Sequence, residues 1–161
     1  MTTKKLVLDR FVPYRLSVLS NLVSRAFALL YAERFDLAIP EWRVLAVLGT
    51  VKSLSAGEVC VRTAMDKVQV SRAVRSLMAS GLIERNISAE DRRRSSLSLT
   101  KEGNAIYVEI TPLAHSTEAR LLETLTAEEK AQLDHLLSKL QSRAGVLSGP
   151  ASSGLDSSPN D

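Results

Sequence analysis

The residues best suited to chemistry in this sequence are polar side chains that recur within a short segment beginning at Lys67. They are Lys67, Gln69, Ser71, Arg72 and Arg75. Ammonium, guanidinium, amide and hydroxyl groups bind phosphate oxygens and the edges of nucleic-acid bases. The pattern therefore indicates a surface for a polyanion, and the alternative interpretation is a charged helix face in contact with solvent.

The distribution of charge agrees with a polyanionic partner. The 161 residues carry a net charge of +3, from 21 basic and 18 acidic residues. The segment from Arg62 to Arg94 holds eight basic and four acidic residues, so its net charge is +4 and the rest of the chain has −1. Nucleic acid is the partner that such a segment favours.

The residues that most enzymes and metal sites need are missing. Cys60 is the only cysteine, so an intramolecular disulfide is excluded. His115 and His135 lie far apart in the sequence, which leaves no metal-ligand spacing. GxSxG, Walker and GxGxxG motifs are also missing. We therefore expect no enzyme activity, no cofactor and no metal. Without an apolar leader or a long apolar run, the sequence favours the cytoplasm.

Hydrophobic periodicity predicts the elements that position the polar residues. Apolar residues recur at steps of three and four in the helical segments and at steps of two in the strands. The predicted order is helix 9–34, helix 40–49, helix 55–61, helix 67–80, strands 82–87 and 96–99, helix 100–125 and helix 126–147. The fold class is mainly α with a small β-hairpin.

Local signals delimit a helix-turn-helix within this order. Ser55 and Glu58 have the spacing of a capping box, and Asp66 suits the N-cap of the next helix. Gly81 is a typical residue just beyond a helix C-terminus. A hairpin with a basic loop follows, so the segment is predicted to be a winged helix-turn-helix.

The chain is predicted to have three regions. Residues 38–99 form a winged helix-turn-helix lobe, residues 9–37 and 100–147 form a helical dimerisation region, and residues 148–161 form a disordered tail rich in Ser, Gly, Pro and Asp. The long amphipathic helices have more apolar surface than the lobe can cover. A symmetric homodimer is the commonest solution.

Several short motifs resemble the MarR family of bacterial transcription regulators. They are Pro40-Glu41-Trp42-Arg43-Val44-Leu45, Ser71-Arg72 with Leu77, Gly81-Leu82-Ile83-Glu84-Arg85, and Asp91-Arg92-Arg93 leading to Leu99-Thr100. Their order and spacing make the match specific. The resemblance implies an obligate homodimer that binds a pseudo-palindromic operator, acts as a repressor, and is released by a small aromatic acid or its CoA thioester.

The resemblance also assigns DNA-binding roles. The major-groove residues would be Lys67, Gln69, Val70, Ser71, Arg72 and Arg75, with Gln69 pairing with adenine and Val70 touching a thymine methyl group. The wing residues would be Arg92, Arg93 and Arg94, with Arg93 in the minor groove and Asp91 orienting the wing through an arginine. For Arg85 we favour a charge at the strand edge.

An effector site is implied beside the dimer core, at Tyr14, Arg15, Trp42 and Arg43. Aromatic surface and cations suit an aromatic carboxylate, whereas Trp42 as plain core and Arg43 as an ion-pair partner are the alternatives. The run Phe11 to Ser17 together with Pro40 to Arg43 is similar to regulators that respond to hydroxycinnamoyl-CoA compounds.

Two other functions stay open at this point. One is a winged-helix DNA-binding module that needs no effector. The other is a cysteine-based redox-sensing repressor, although Cys60, between Val59 and Val61, is expected to be a small buried hydrophobe of low reactivity.

Overall fold

The computed structural model describes residues 6–87 and 95–148. Its elements are a 3-10 turn at Leu8–Arg10, α1 (Val12–Phe35), α2 (Ile39–Gly49), α3 (Ala56–Thr63), α4 (Lys67–Ala79), β1 (Ile83–Ile87), β2 (Ser95–Leu99), α5 (Lys101–Leu121) and α6 (Ala127–Ser148). The predicted fold class, mainly α with a β-hairpin, is confirmed. The chain forms two compact units, residues 1–117 and residues 118–161.

Side-chain caps set the limits of α3 and α4, as the sequence predicted. At α3 the Ser55 hydroxyl accepts the Glu58 N–H at 3.2 Å, and the Ser55 N–H donates to the Glu58 carboxylate at 2.7 Å. Ala64 ends α3 in the left-handed region, with φ of 53°. At α4 the Asp66 carboxylate accepts the Gln69 N–H at 2.7 Å. These bonds satisfy backbone donors that a helix N-terminus leaves without partners.

The hydrophobic core lies in the first unit, between α2, α3, α4 and the hairpin, with one residue from α5. Its largest fully buried side chains are Leu45, Leu48, Leu77, Leu97 and Ile110. The buried residues of α2 and α4 recur at steps of three and four positions, which is the spacing that places side chains on one helix face.

The hairpin is fastened to this core through β2. The two strands pair antiparallel, with Ile83 opposite Leu99 and Arg85 opposite Leu97. Leu54 and Leu97 exchange two backbone hydrogen bonds of 3.0 and 2.7 Å. Because residues directly opposite share one face of a sheet, Arg85 lies on the same face as the buried Leu97.

Hydrogen bonds join the start of α5 to the turn that follows α4. Gly81 has φ of 70°, a conformation that favours glycine. The Thr100 hydroxyl donates to the Gly81 carbonyl at 2.7 Å and accepts the Gly103 N–H at 3.0 Å. Gly103 itself is buried against the Leu82 carbonyl group.

The middle of α5 contacts α1 and α2. The Arg34 guanidinium of α1 pairs with the Glu109 carboxylate at 2.9 Å on the exposed surface. The Tyr107 ring lies directly against Gly49, where any side chain would overlap it. α5 is therefore packed against the lobe over its first three turns.

The end of α5 differs from the prediction. The helix ends at Leu121, before the predicted end near residue 125, and Leu125 N–H donates to the Leu122 carbonyl at 3.1 Å in a tight turn. Thr126 then begins α6 with a capping box, its hydroxyl accepting the Glu129 N–H at 3.2 Å. The Thr126 cap sets the start of α6, whereas apolar spacing alone did not predict that α5 ends at Leu121.

Candidate nucleic-acid interface

α4 has one buried side and one exposed side. Its buried residues are Val70, Ala73, Val74 and Leu77, which pack into the core. The opposite side carries five exposed polar residues: Lys67, Gln69, Ser71, Arg72 and Arg75. The structure therefore brings together on one helix face five of the six side chains that the sequence analysis assigned to the major groove.

The sixth assignment, Val70, is wrong as a base contact. Val70 is only 2% exposed and belongs to the hydrophobic core, so its methyl groups are unavailable to a thymine. The physical reason is the helical period, which puts Val70 on the same face as Val74 and Leu77. The exposed valine of α4 is Val68, which is 59% exposed and which the sequence analysis missed. A helical wheel of α4 centred on its apolar stripe is the signal that identifies it.

The N-terminus of α3, the first helix of the helix-turn-helix, is stabilised by charge as well as by hydrogen bonds. Hydrogen bonds from the Ser55 hydroxyl and then from the Ser55 backbone N–H hold the pKa of the Glu58 carboxyl below its ordinary value, and the Arg62 cation adds to this effect. Glu58 is therefore ionised near neutral pH. Its charge favours the α3 N-terminus, where the helix dipole is positive.

A cavity of about 780 Å³ opens between α3 and α4. Its floor is mainly apolar, with Cys60, Val74 and Met78, while cationic residues also line it. The cationic lining residues are Lys67, Arg75 and Arg85. Arg85 thus lines the same cavity as Lys67 and Arg75 of α4, a placement that its position in the strand sequence alone did not show.

Cys60 differs from the expected small buried hydrophobe. It is partly buried and lines this cavity, and its neighbour Val61 is 82% exposed. Val59, by contrast, is fully buried. The difference follows from the helical period of α3, which turns consecutive residues to different environments.

The four residues assigned to an effector lie on α1 and α2. Tyr14 and Arg15 are exposed in the first turn of α1. Trp42 is partly buried against the hydrophobic core, and Arg43 is partly buried beside it in sequence. The packing of Trp42 is compatible with the core interpretation, so the effector site stays a prediction.

The wing assignments fall on residues that the structure does not describe. Asp91, Arg92, Arg93 and Arg94 lie outside the described residues, as does the predicted tail beyond residue 148. Within residues 6–87 and 95–148, no group of three or more His, Cys, Asp or Glu side chains is arranged to hold a metal ion. No helix in the described ranges is long and apolar enough to cross a membrane.

Comparison with known proteins agrees with this geometry. A family model described as the MarR family matches residues 35–94, from the end of α1 to the residue before β2. A crystal structure of a MarR/EmrR family transcriptional regulator from Acinetobacter sp. ADP1 is 30% identical, with a TM-score of 0.82, and the match covers 87% of this chain and 99% of that one. This chain belongs to the MarR family of transcriptional regulators.

Two curated relatives of this MarR-family chain are also similar to it. The transcriptional regulator BilQ of Clostridium symbiosum is 32% identical over 93 residues, 58% of this chain and 65% of BilQ. The homoprotocatechuate degradative operon repressor of Escherichia coli is 27% identical over 105 residues, 65% of this chain and 71% of that repressor. The chain thus spans just under two thirds of the length of BilQ.

Proposed function

We propose that this MarR-family chain binds operator DNA as a homodimer, represses transcription, and is released by a small aromatic acid or its CoA thioester. The observation that carries the proposal is the exposed face of α4. Its cations and hydrogen-bonding groups lie opposite a buried stripe that holds the helix rigidly on the lobe. A recognition helix in the major groove needs this combination, because phosphate contacts supply affinity and base contacts supply specificity.

Exposed apolar side chains support the homodimer. On α1, Leu16, Leu19 and Leu22 are exposed, and on α6 so are Leu133, Leu136, Leu137 and Leu140. Contiguous exposed apolar surface on a soluble protein marks an interaction site, and a two-fold dimer buries the same surface on both copies. Residues 9–37 and 100–147 are accordingly proposed as the dimerisation region. Two lobes, each of residues 38–99, would then meet half-sites about one helical turn apart.

The wing completes the proposed interface. Arg92, Arg93 and Arg94 are assigned to the sugar-phosphate backbone and the minor groove, where arginine is favoured by the negative potential. Asp91 is assigned to orient the wing, since a carboxylate beside phosphates is repelled. These roles rest on the Asp91-Arg92-Arg93 motif followed by Leu99-Thr100.

The proposed effector site consists of Tyr14, Arg15, Trp42 and Arg43. The printed name of the Escherichia coli relative refers to an operon for degrading homoprotocatechuate, an aromatic acid, and this supports an aromatic acid as the effector class. The hydroxycinnamoyl-CoA subgroup is proposed from the motifs at Phe11 to Ser17 and at Pro40. The effector would either bind better to a form whose lobe spacing does not fit the operator or occupy the DNA-binding face sterically, and both routes require different affinities for the two states.

The experiment is a titration of the purified chain against DNA upstream of its own gene, at about 0.15 M salt. Arg72→Ala, on the exposed face of α4, should lose about 1 to 3 kcal/mol of operator binding and relax specificity at one position per half-site. Arg143→Ala, which removes an exposed arginine of α6, is the matched control and should leave specificity unchanged.

A second series of DNA titrations is carried out in the presence of aromatic acids or their CoA thioesters. Release by one of these classes supports the ligand-responsive repressor and identifies the effector class. Specific binding that no compound weakens supports the effector-independent module instead. If the chain does not prefer any upstream sequence over random DNA, the DNA-reading assignment of α4 is wrong.

A further inference from the structure

Val68 is an exposed apolar residue at the centre of the polar face of α4. Its side chain is 59% exposed, although it is the second residue of a well-packed helix. With about 100° of rotation per residue, Val68 lies roughly 170° from the middle of the stripe formed by Val70, Ala73, Val74 and Leu77. It therefore points away from the core.

The stability of α4 does not account for a valine at this position. A β-branched side chain lowers helix propensity, and the exposed side of Val68 gains little from packing. Ser71 and Arg72 follow it by three and four residues, so they lie on the same side of the helix, and Arg75 lies two turns further along. An apolar group is thus surrounded by hydrogen-bonding and cationic groups.

We propose that Val68 is a specificity-determining residue that packs against the C5-methyl group of a thymine in each operator half-site. This inference rests on the proposed DNA-binding function. In a helix-turn-helix, residues near the N-terminus of the second helix contact base edges, and Val68 has that position in α4. The thymine methyl is the apolar group that the major groove presents, and valine has no hydrogen-bonding group for any other base edge.

The other valines of the helix-turn-helix do not meet these requirements. Val70 is buried in the core. Val61 is 82% exposed, but it lies on α3, and the first helix of this motif crosses the DNA backbone rather than entering the groove. Val68 is thus the valine of α3 and α4 that combines exposure with a groove-facing position.

The test removes either the thymine methyl group or the methyl groups of the Val68 side chain. In operator duplexes, each thymine is replaced in turn, symmetrically in both half-sites, by deoxyuridine, which keeps the base pair and lacks only the methyl group. Binding is measured for the wild-type chain and for Val68→Ala. Alanine is a stronger helix former than valine, so the variant is expected to fold.

At one thymine position, deoxyuridine should weaken wild-type binding about fourfold per half-site, the factor that corresponds to one buried methyl group, and about fifteenfold for the dimer. Val68→Ala should bind the thymine operator more weakly and show no further loss with deoxyuridine at that position. Val108→Ala is the control, because Val108 is also 59% exposed but lies on α5. It should retain the wild-type ratio of thymine to deoxyuridine affinities, whatever its effect on dimerisation.

The possible failures are distinguishable. If the chain binds its operator specifically but Val68→Ala retains the full deoxyuridine effect at every thymine, the Val68 assignment is overturned and the DNA-binding function stands. If the wild-type chain has no preferred operator, the proposed function and the Val68 assignment fail together.

Discussion

Replacing Gly103 by alanine tests how α5 is attached to the DNA-binding lobe. Gly103 lies in the first turn of α5, and its N–H is held by the Thr100 hydroxyl at 3.0 Å. A Cβ atom there would overlap the Leu82 carbonyl oxygen and lie 2.8 Å from the Leu82 carbonyl carbon. One of the two backbones must move for the methyl group to fit.

The magnitude follows from what holds Leu82 in place. Its carbonyl accepts the Thr100 N–H at 3.1 Å, and its own N–H donates to the Leu77 carbonyl at 2.9 Å. Overpacking in a tight site costs about 1 to 3 kcal/mol, and weakening one backbone hydrogen bond costs about 1 kcal/mol. Alanine regains up to about 1 kcal/mol through helix propensity. Combining these values, we expect Gly103→Ala to lower the free energy of unfolding by about 2 kcal/mol.

The assay is urea unfolding followed by circular dichroism at one fixed protomer concentration, because the stability of a dimer depends on concentration. Gly145→Ala in α6 is the matched control, since no described atom lies within 4 Å of the Cβ position there. Gly145→Ala should raise the free energy of unfolding by about 0.5 kcal/mol, a change opposite in sign to that expected for Gly103→Ala.

A Gly103→Ala variant at least as stable as the wild type would contradict this prediction, provided that Gly145→Ala behaves as expected. The start of α5 would then not be held against Leu82. The packing of α5 against the lobe would then depend on other contacts, such as that between Tyr107 and Gly49.

Three further predictions concern caps and charges. Asp66→Ala should cost about 1 kcal/mol in urea unfolding, and Asp66→Asn, which can still cap α4, should cost less. Since the pKa of Glu58 is lowered on folding, its ionised form stabilises the fold above pH 4.5, and this contribution is lost as the pH falls through the folded pKa. The difference in unfolding free energy between the wild type and Glu58→Gln should therefore shrink as the pH falls from 4.5 through the folded pKa. For the exposed pair Arg34 and Glu109, a double-mutant cycle should give a coupling below about 1 kcal/mol that decreases with added salt, and a larger, salt-independent value would contradict the exposed geometry.

Local sequence signals were sufficient wherever the interaction partners are close in the chain. The capping residues Ser55, Asp66 and Thr126 each bond to an N–H three residues later, so their spacing identifies them without any tertiary information. The same holds for Gly81, whose positive φ follows from its place after α4. The family motifs and the fold class depend on patterns of this kind.

Predictions about the surroundings of single residues were less accurate. Val70 was assigned to the DNA and Val68 was missed, although the helical period of α4 places Val70 with the buried Val74 and Leu77 and turns Val68 to the opposite side. Cys60 was expected to be buried, and it lines the cavity between α3 and α4.

The order of helices and strands, the caps of α3, α4 and α6, and the polar character of α4 could be predicted from the amino-acid sequence, because these features depend on residues a few positions apart. Packing between distant segments determines that Cys60, Arg75 and Arg85 line one cavity and that Gly103 must lack a side chain. Each of these depends on segments far apart in the chain. Their approach is set by how side chains pack in the core, and the periodicity of a single segment contains no information about its neighbours.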